Sequence, residues 1–181
     1  MSFPTHLARA LAPVAIVAMA APAQAQSADI AKVEAHLAAV QSMTANFSQT
    51  DARNRVARGT LQLKRPGRIR FQYQGDDLVL VGNGSKLTFV DYAVGQKNSW
   101  DLAKTPLGIL LVRARDARRP EFGTLLLAFV RNPSAPGGLL LEGWTAVDAQ
   151  NKKTTIKLDN QRYNVAVPES AFSYAEPKKR R

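Results

Sequence analysis

From Thr44 to Leu102 apolar and polar residues alternate with a period of two, in segments joined by connections far too short for a parallel crossover. Ala45, Phe47 and Gln49 oppose Thr44, Asn46 and Ser48. After the polar link Asp51-Ala52-Arg53-Asn54, a second strand over 56–65 sets Leu61 and Leu63 against Gln62 and Lys64. Pro66-Gly67 turns the chain, and 68–73 places Ile69, Phe71 and Tyr73 opposite Arg68, Arg70 and Gln72. A fourth strand over 78–81 leads through the hairpin signal Asn83-Gly84 to a fifth carrying Leu87 and Phe89, and a short sixth falls at 97–102. Five or six strands in this order dictate an antiparallel meander with one covered face.

Helical periodicity brackets the meander. Ile30, Val33, Leu37 and Val40 mark one stripe of an amphipathic helix over 28–43. Thr105-Pro106 reads as a cap with proline in the first turn of a short apolar helix over 107–112. A basic loop with Arg113, Arg115, Arg118 and Arg119 follows. Strands are then expected at 122–130, 139–147, 153–158 and 171–174. The expected fold class is mainly β with α. A single curved antiparallel sheet forms an incomplete, unclosed barrel, and two or three short helices cover its concave face.

The first 25 residues are of another kind. Arg9 precedes an apolar run from Leu11 to Ala21, and Ala23-Gln24-Ala25 supplies the small-x-small pattern of a processing site. The run is shorter than the ~20 residues a bilayer span needs. Residues 1–25 are therefore expected to be a cleaved signal peptide, and 26–181 a single domain with a basic tail. The chain has no cysteine, so neither a disulfide nor a lipid anchor is expected. Removing Arg9 with the leader leaves 24 cations against 14 acids, a net charge of +10 that favours anionic partners.

Little supports catalysis, and no enzyme activity is expected. Beyond the leader the one histidine is His36, expected at the helix surface between Ala35 and Leu37. No cluster offers the four ligands of a structural zinc site. Gly82-Asn83-Gly84 suits a hairpin better than a phosphate loop, and Asp76-Asp77 and Asp148 fall at turns. Neither a metal nor a cofactor is expected. Export and the lack of any zinc-finger or helix-turn-helix pattern argue against nucleic acid.

Strand parity raises one question. If the strand carrying Leu61 and Leu63 stays regular, Arg65 faces the apolar side, where a guanidinium needs partners such as backbone carbonyls. Alternatively the strand frays before Pro66 and Arg65 turns to solvent.

In their order, several segments resemble the outer-membrane lipoprotein carrier protein family, LolA. They are Val40-Gln41-Ser42-Met43-Thr44-Ala45-Asn46-Phe47-Ser48-Gln49, and the G-x-L-x-x-x-R-P pattern of Gly59 to Pro66 continuing to Phe71. The hairpin Val81 to Leu87, Thr105-Pro106-Leu107-Gly108-Ile109-Leu110-Leu111 and the ending Phe172 to Pro177 complete the set. Thr88-Phe89 departs from it, standing where many members carry Trp and an aromatic.

The resemblance implies a periplasmic chaperone. It would bind the acyl chains of lipoproteins in a hydrophobic cavity and carry them from an inner-membrane ABC-type release complex to an outer-membrane receptor. It implies Arg65 as the lid latch, with Leu37 on the helix facing it. The acyl-chain cavity would be lined by Leu37, Phe47, Leu61, Leu63, Ile69, Phe71, Leu87, Phe89, Ile109 and Leu110. Arg68, Arg70, Arg113 and Arg115 are expected to steer docking on acidic partners. A monomer is expected. The alternative is a lipid- or lipoprotein-sensing module of the same fold acting in envelope stress regulation.

Overall fold

A computed structural model of the protein describes residues 23–75, 77–111, 123–148 and 150–178. The basic loop carrying Arg113 and Arg115, most of the expected leader and the last three residues lie outside the described residues. Among the described residues there are two α-helices and nine strands: α1 Ala23–Ala39, β1 Ser42–Thr50, β2 Val56–Lys64, β3 Arg68–Tyr73, β4 Leu78–Asn83, β5 Lys86–Asp91, β6 Gln96–Asp101, α2 Pro106–Leu111, β7 Thr124–Arg131, β8 Leu139–Val147 and β9 Lys153–Tyr163. All nine strands form one antiparallel sheet in the order β6-β5-β4-β3-β2-β1-β9-β8-β7. β6 and β7 are its edges and do not pair, so the sheet is not closed into a barrel. No helix among the described residues is long and apolar enough to cross a membrane.

The meander follows the alternation. Leu61 pairs with Ala45 and Phe71, and Leu63 with Met43 and Ile69, so one apolar row continues across three strands. The row continues through β4 and β5, where Phe71 meets Leu80 and Leu80 meets Phe89. Gly59 is in this register for a steric reason. A Cβ there would lie 2.0 Å from the Gln72 carbonyl oxygen and 2.8 Å from the Phe47 ring.

Three expectations are corrected. α1 ends at Ala39, not at Met43, because Ser42 and Met43 are already paired with Lys64 and Leu63 in the sheet. Its start at Ala23 carries it across the expected processing point. Thr105 does not cap α2; its hydroxyl donates backward to the Leu102 carbonyl at 2.8 Å, closing a 3-10 turn at Leu102–Lys104. Segment 171–174 is not a strand. Glu169–Phe172 is a 3-10 turn within a tail that crosses the convex face.

That tail gives the sheet a second, smaller core. Val79, Val81 and Val90 point away from the main core and are buried beneath Val167 and Phe172. Glu169 pins the tail through Lys64 at 2.7 Å and Arg68 at 2.8 Å. The Lys64 ammonium, and then Arg68, hold its carboxyl below the usual range. Arg70 donates to the carbonyls of Ser173 at 2.7 Å and Ala171 at 3.3 Å.

Substituting Gly59→Ala is expected to lower stability by about 1–3 kcal/mol, because the new methyl meets backbone that cannot rotate away. Urea unfolding midpoints of the two proteins measure it, and an unchanged midpoint would contradict the close approach.

Candidate apolar site

The concave face carries the main core. Val40, Met43, Ala45, Phe47, Leu61, Leu63, Ile69, Phe71, Leu87, Leu102, Leu111, Leu141, Trp144, Ile156 and Leu158 form one buried cluster. Aromatic rings meet edge to face along it. The Phe47 ring centroid lies 5.1 Å from Phe71 and 5.2 Å from Tyr73, and Phe71 lies 6.1 Å from Trp144. The polar ends of two tyrosines are partnered. Tyr73 donates to Gln49 Oε1 at 2.7 Å, and burial pushes its pKa up to about 12. Tyr163 accepts the Leu141 N–H at 3.1 Å, and burial raises its phenol too. A sheet face this apolar would be driven together with others in water unless something covered it.

The cover is light. From α2, Leu111 joins the cluster and Leu107 packs against it. From α1, Leu37 packs against it in the same way. α1 rests mostly on the turn Pro136–Gly138. Gly137 makes that approach feasible: at φ +64°, its missing Cβ would lie 2.6 Å from the His36 backbone nitrogen. Ile30, nearer the start of α1, is exposed.

His36 is the fastener. It was expected at the surface and is only 2% exposed. Nδ1 lies 2.8 Å from the Pro136 carbonyl oxygen, so that nitrogen carries the proton and donates. The ring stands edge to face against Phe129 at 5.2 Å and Tyr163 at 5.4 Å. Burial depresses its pKa, and the nearby Arg65 charge adds to the effect. The signal was present in the sequence: His36 is three residues after Val33 and four before Val40, on the same stripe.

Arg65 follows β2, and its backbone N–H donates to the Gln41 carbonyl at 2.8 Å, between α1 and β1. The residue is half-buried, close enough to His36 for the two charges to interact. Burial lowers the guanidinium pKa from its ordinary value. Of the two readings left open by parity, one turned Arg65 to solvent; the structure instead holds it half-buried at the end of β2, beside Gln41.

The expected cavity residues divide. Phe47, Leu61, Leu63, Ile69, Phe71 and Leu87 all lie in the cluster, with Leu37 packed against it. Phe89 shares the face of Leu80 but is half-buried and outside the cluster. Ile109 and Leu110 fall in α2, and their side chains lie outside the described residues. Sequence reasoning missed Trp144 and Tyr163, which lie in strands beyond the meander. Arg68 and Arg70 are engaged by the tail, which reduces what they can offer to a partner. Arg113 and Arg115 lie outside the described residues. Among the described residues no group of three or more His, Asp or Glu is placed to hold a metal ion.

The family described as "Outer membrane lipoprotein carrier protein LolA" matches residues 38–121, from the end of α1 through the meander and α2. The chain is also 25% identical over 207 residues to a protein of Chromobacterium violaceum named outer-membrane lipoprotein carrier protein. That alignment covers 97% of this chain and 94% of its relative. Both matches show the chain to be similar to outer-membrane lipoprotein carriers. The resemblance seen in the residue pattern therefore extends, through the relative, across β7, β8 and β9.

The buried His36 sets an expected pH dependence. Its folded pKa is below its ordinary value of 6.5, so the unfolded chain takes the proton more readily. Its contribution to stability is complete above 6.5 and is lost as pH falls through the depressed value. Thermal midpoints between about pH 7.5 and 5 are expected to fall more in the wild type than in His36→Gln. Parallel profiles would show that His36 is not the titrating group.

Proposed function

We infer that the protein is a lipoprotein carrier, in which the acyl chains of a lipoprotein occupy the concave face now covered by α2 and the end of α1. The observation that carries this reading is the continuous apolar face, from Met43 and Leu63 to Trp144 and Ile156, beneath a light cover and beside two unpaired sheet edges. The family match and the name of the Chromobacterium violaceum relative support it.

The physical need is large. Each buried CH₂ is worth about 0.8 kcal/mol, so one chain of ~16 carbons costs roughly 13 kcal/mol to expose. A carrier needs no external energy to hold such chains, but unaided release into water would be very slow. Hand-off is therefore direct, from an inner-membrane release complex to this protein and from it to an outer-membrane receptor. The working protein is residues 26–181, in the periplasm, after processing behind Ala25. Arg65 serves as the latch: its position beside His36 and Gln41 ties the end of β2 to the end of α1, and loading releases it.

Depleting the protein and fractionating the envelope tests the reading. Lipoproteins stranded at the inner membrane are the expected result, and normal sorting would end the proposal. For the latch, Arg65→Leu is expected to accept lipoproteins but to pass fewer than about one in ten to the receptor, a change worth ~1.4 kcal/mol. Normal hand-off by that variant would remove Arg65 from this role.

A further inference from the structure

The two halves of the convex face differ. Over β3, β4 and β5 the tail covers the sheet, and acids answer its cations: Glu169 meets Lys64 and Arg68, and Glu176 meets Lys97 at 2.6 Å. The tail reaches only the near ends of β2 and β1, at Lys64 and Ser42, and among the described residues it makes no hydrogen bond or ion pair with the outward side chains of β9, β8 and β7. Register defines what is displayed there. One row runs Leu126, Thr145, Thr155, Thr50, Val56. The next runs Ala128, Gly143, Lys157, Ser48, Arg58.

Three features of this half act together. Leu126 and Val56, at the two ends of the first row, are 58% and 54% exposed. Arg58 and Lys157 are exposed on the second row with only Ser48 between them, and Lys153 is exposed beside Val147 on the row beyond Leu126. None of these three cations is in an ion pair among the described residues. At the β7–β9 end of this half lies a pocket of about 400 Å³ whose lining includes Leu126, Glu142, Gly143, Thr155 and Lys157. Among the described strand residues of this half, Asp159 and Glu142 are the acids, and Asp159 accepts a hydrogen bond from Asn46.

We propose that this bare half of the convex face binds the anionic headgroups of a lipid bilayer. Lysine and arginine near a negative surface add favourable terms one by one, and isolated exposed apolar side chains insert shallowly among headgroups. The flat row of threonines adds no charge that would oppose the approach. The net charge of +10 on residues 26–181 gives the approach its sign. The patch ends at the β7 edge, so docking sets one lip of the open sheet beside the bilayer. This inference does not depend on the carrier reading, since it concerns the opposite face of the sheet.

Vesicle flotation tests it. The processed protein, purified from envelope extract, is mixed with vesicles of phosphatidylcholine alone or with about 30% phosphatidylglycerol. Binding is expected to the anionic vesicles only, and to weaken at least fivefold when salt is raised from about 0.05 to 0.3 M. Arg58→Glu with Lys157→Glu is expected to weaken it about tenfold or more. Lys32→Glu with Lys104→Glu makes the same net charge elsewhere and is expected to change it less than about twofold. Thermal melting of both variants checks that they fold. Absence of binding to anionic vesicles, or equal losses in the two variants, overturns the proposal; the second result would mean net charge acts without a defined face.

Discussion

The whole arrangement depends on the cross-strand contact of Phe47, Leu61 and Phe71 at the centre of an open sheet. Leu61 and Phe71 face each other directly, and the Phe47 ring lies over Gly59 and against Phe71. Because Gly59 contributes no side chain, the bulk of Phe47 projects over the concave surface without forcing β2 and β3 apart. β6 and β7 remain unpaired edges, and the concave face is an apolar trough that the sheet alone cannot hide. A closed barrel would have buried the same residues permanently. An open one needs a cover, and a cover made of side chains can be replaced.

On the proposed reading, a cover that can be replaced by acyl chains would need to be light. Leu107 and Leu111 of α2 and Leu37 of α1 bury the same surface that an acyl chain would bury. The affinity for a chain is then the difference between two burials, not the whole of one. A tight lid would exclude the ligand, and an absent lid would leave a surface prone to aggregation. Fastening α1 through polar contacts suits this compromise. His36 is held by one carbonyl and two ring edges, and Gly137 lets the turn approach the helix backbone. Such contacts are directional, and they separate at a defined point instead of sliding.

Much of the fold was legible because alternation, turn chemistry and short connections agreed over 44–102. β3 and β8 have the bounds that the pattern predicts. The failures have physical causes. The stripe Val33, Leu37, Val40 continues in register into Met43, yet pairing with β2 captures Ser42 and Met43 for the sheet. Phe172 and Tyr174 alternate like a strand, but they cover Val79, Val81 and Val90 from outside, and that is a non-local relation no local pattern contains. The floor of the site was legible in Leu61, Leu63, Ile69 and Phe71. Trp144 and Tyr163 were not, since their place opposite the meander follows from β9 pairing with β1 across more than a hundred residues.

The position of Arg65 gains meaning from His36. A guanidinium at the rim of an apolar trough is costly unless it is held, and here it lies near the buried imidazole of His36. Burial does most to hold the His36 pKa below its ordinary value, and the Arg65 charge adds a smaller push in the same direction. If Arg65 leaves α1 on loading, as the proposed function has it, the smaller charge contribution to the depressed His36 pKa is removed while burial, the larger one, remains. On the proposed reading, the sheet end at Arg65, hydrogen-bonded to the Gln41 carbonyl, and the helix end at His36 would act as two sides of one closure.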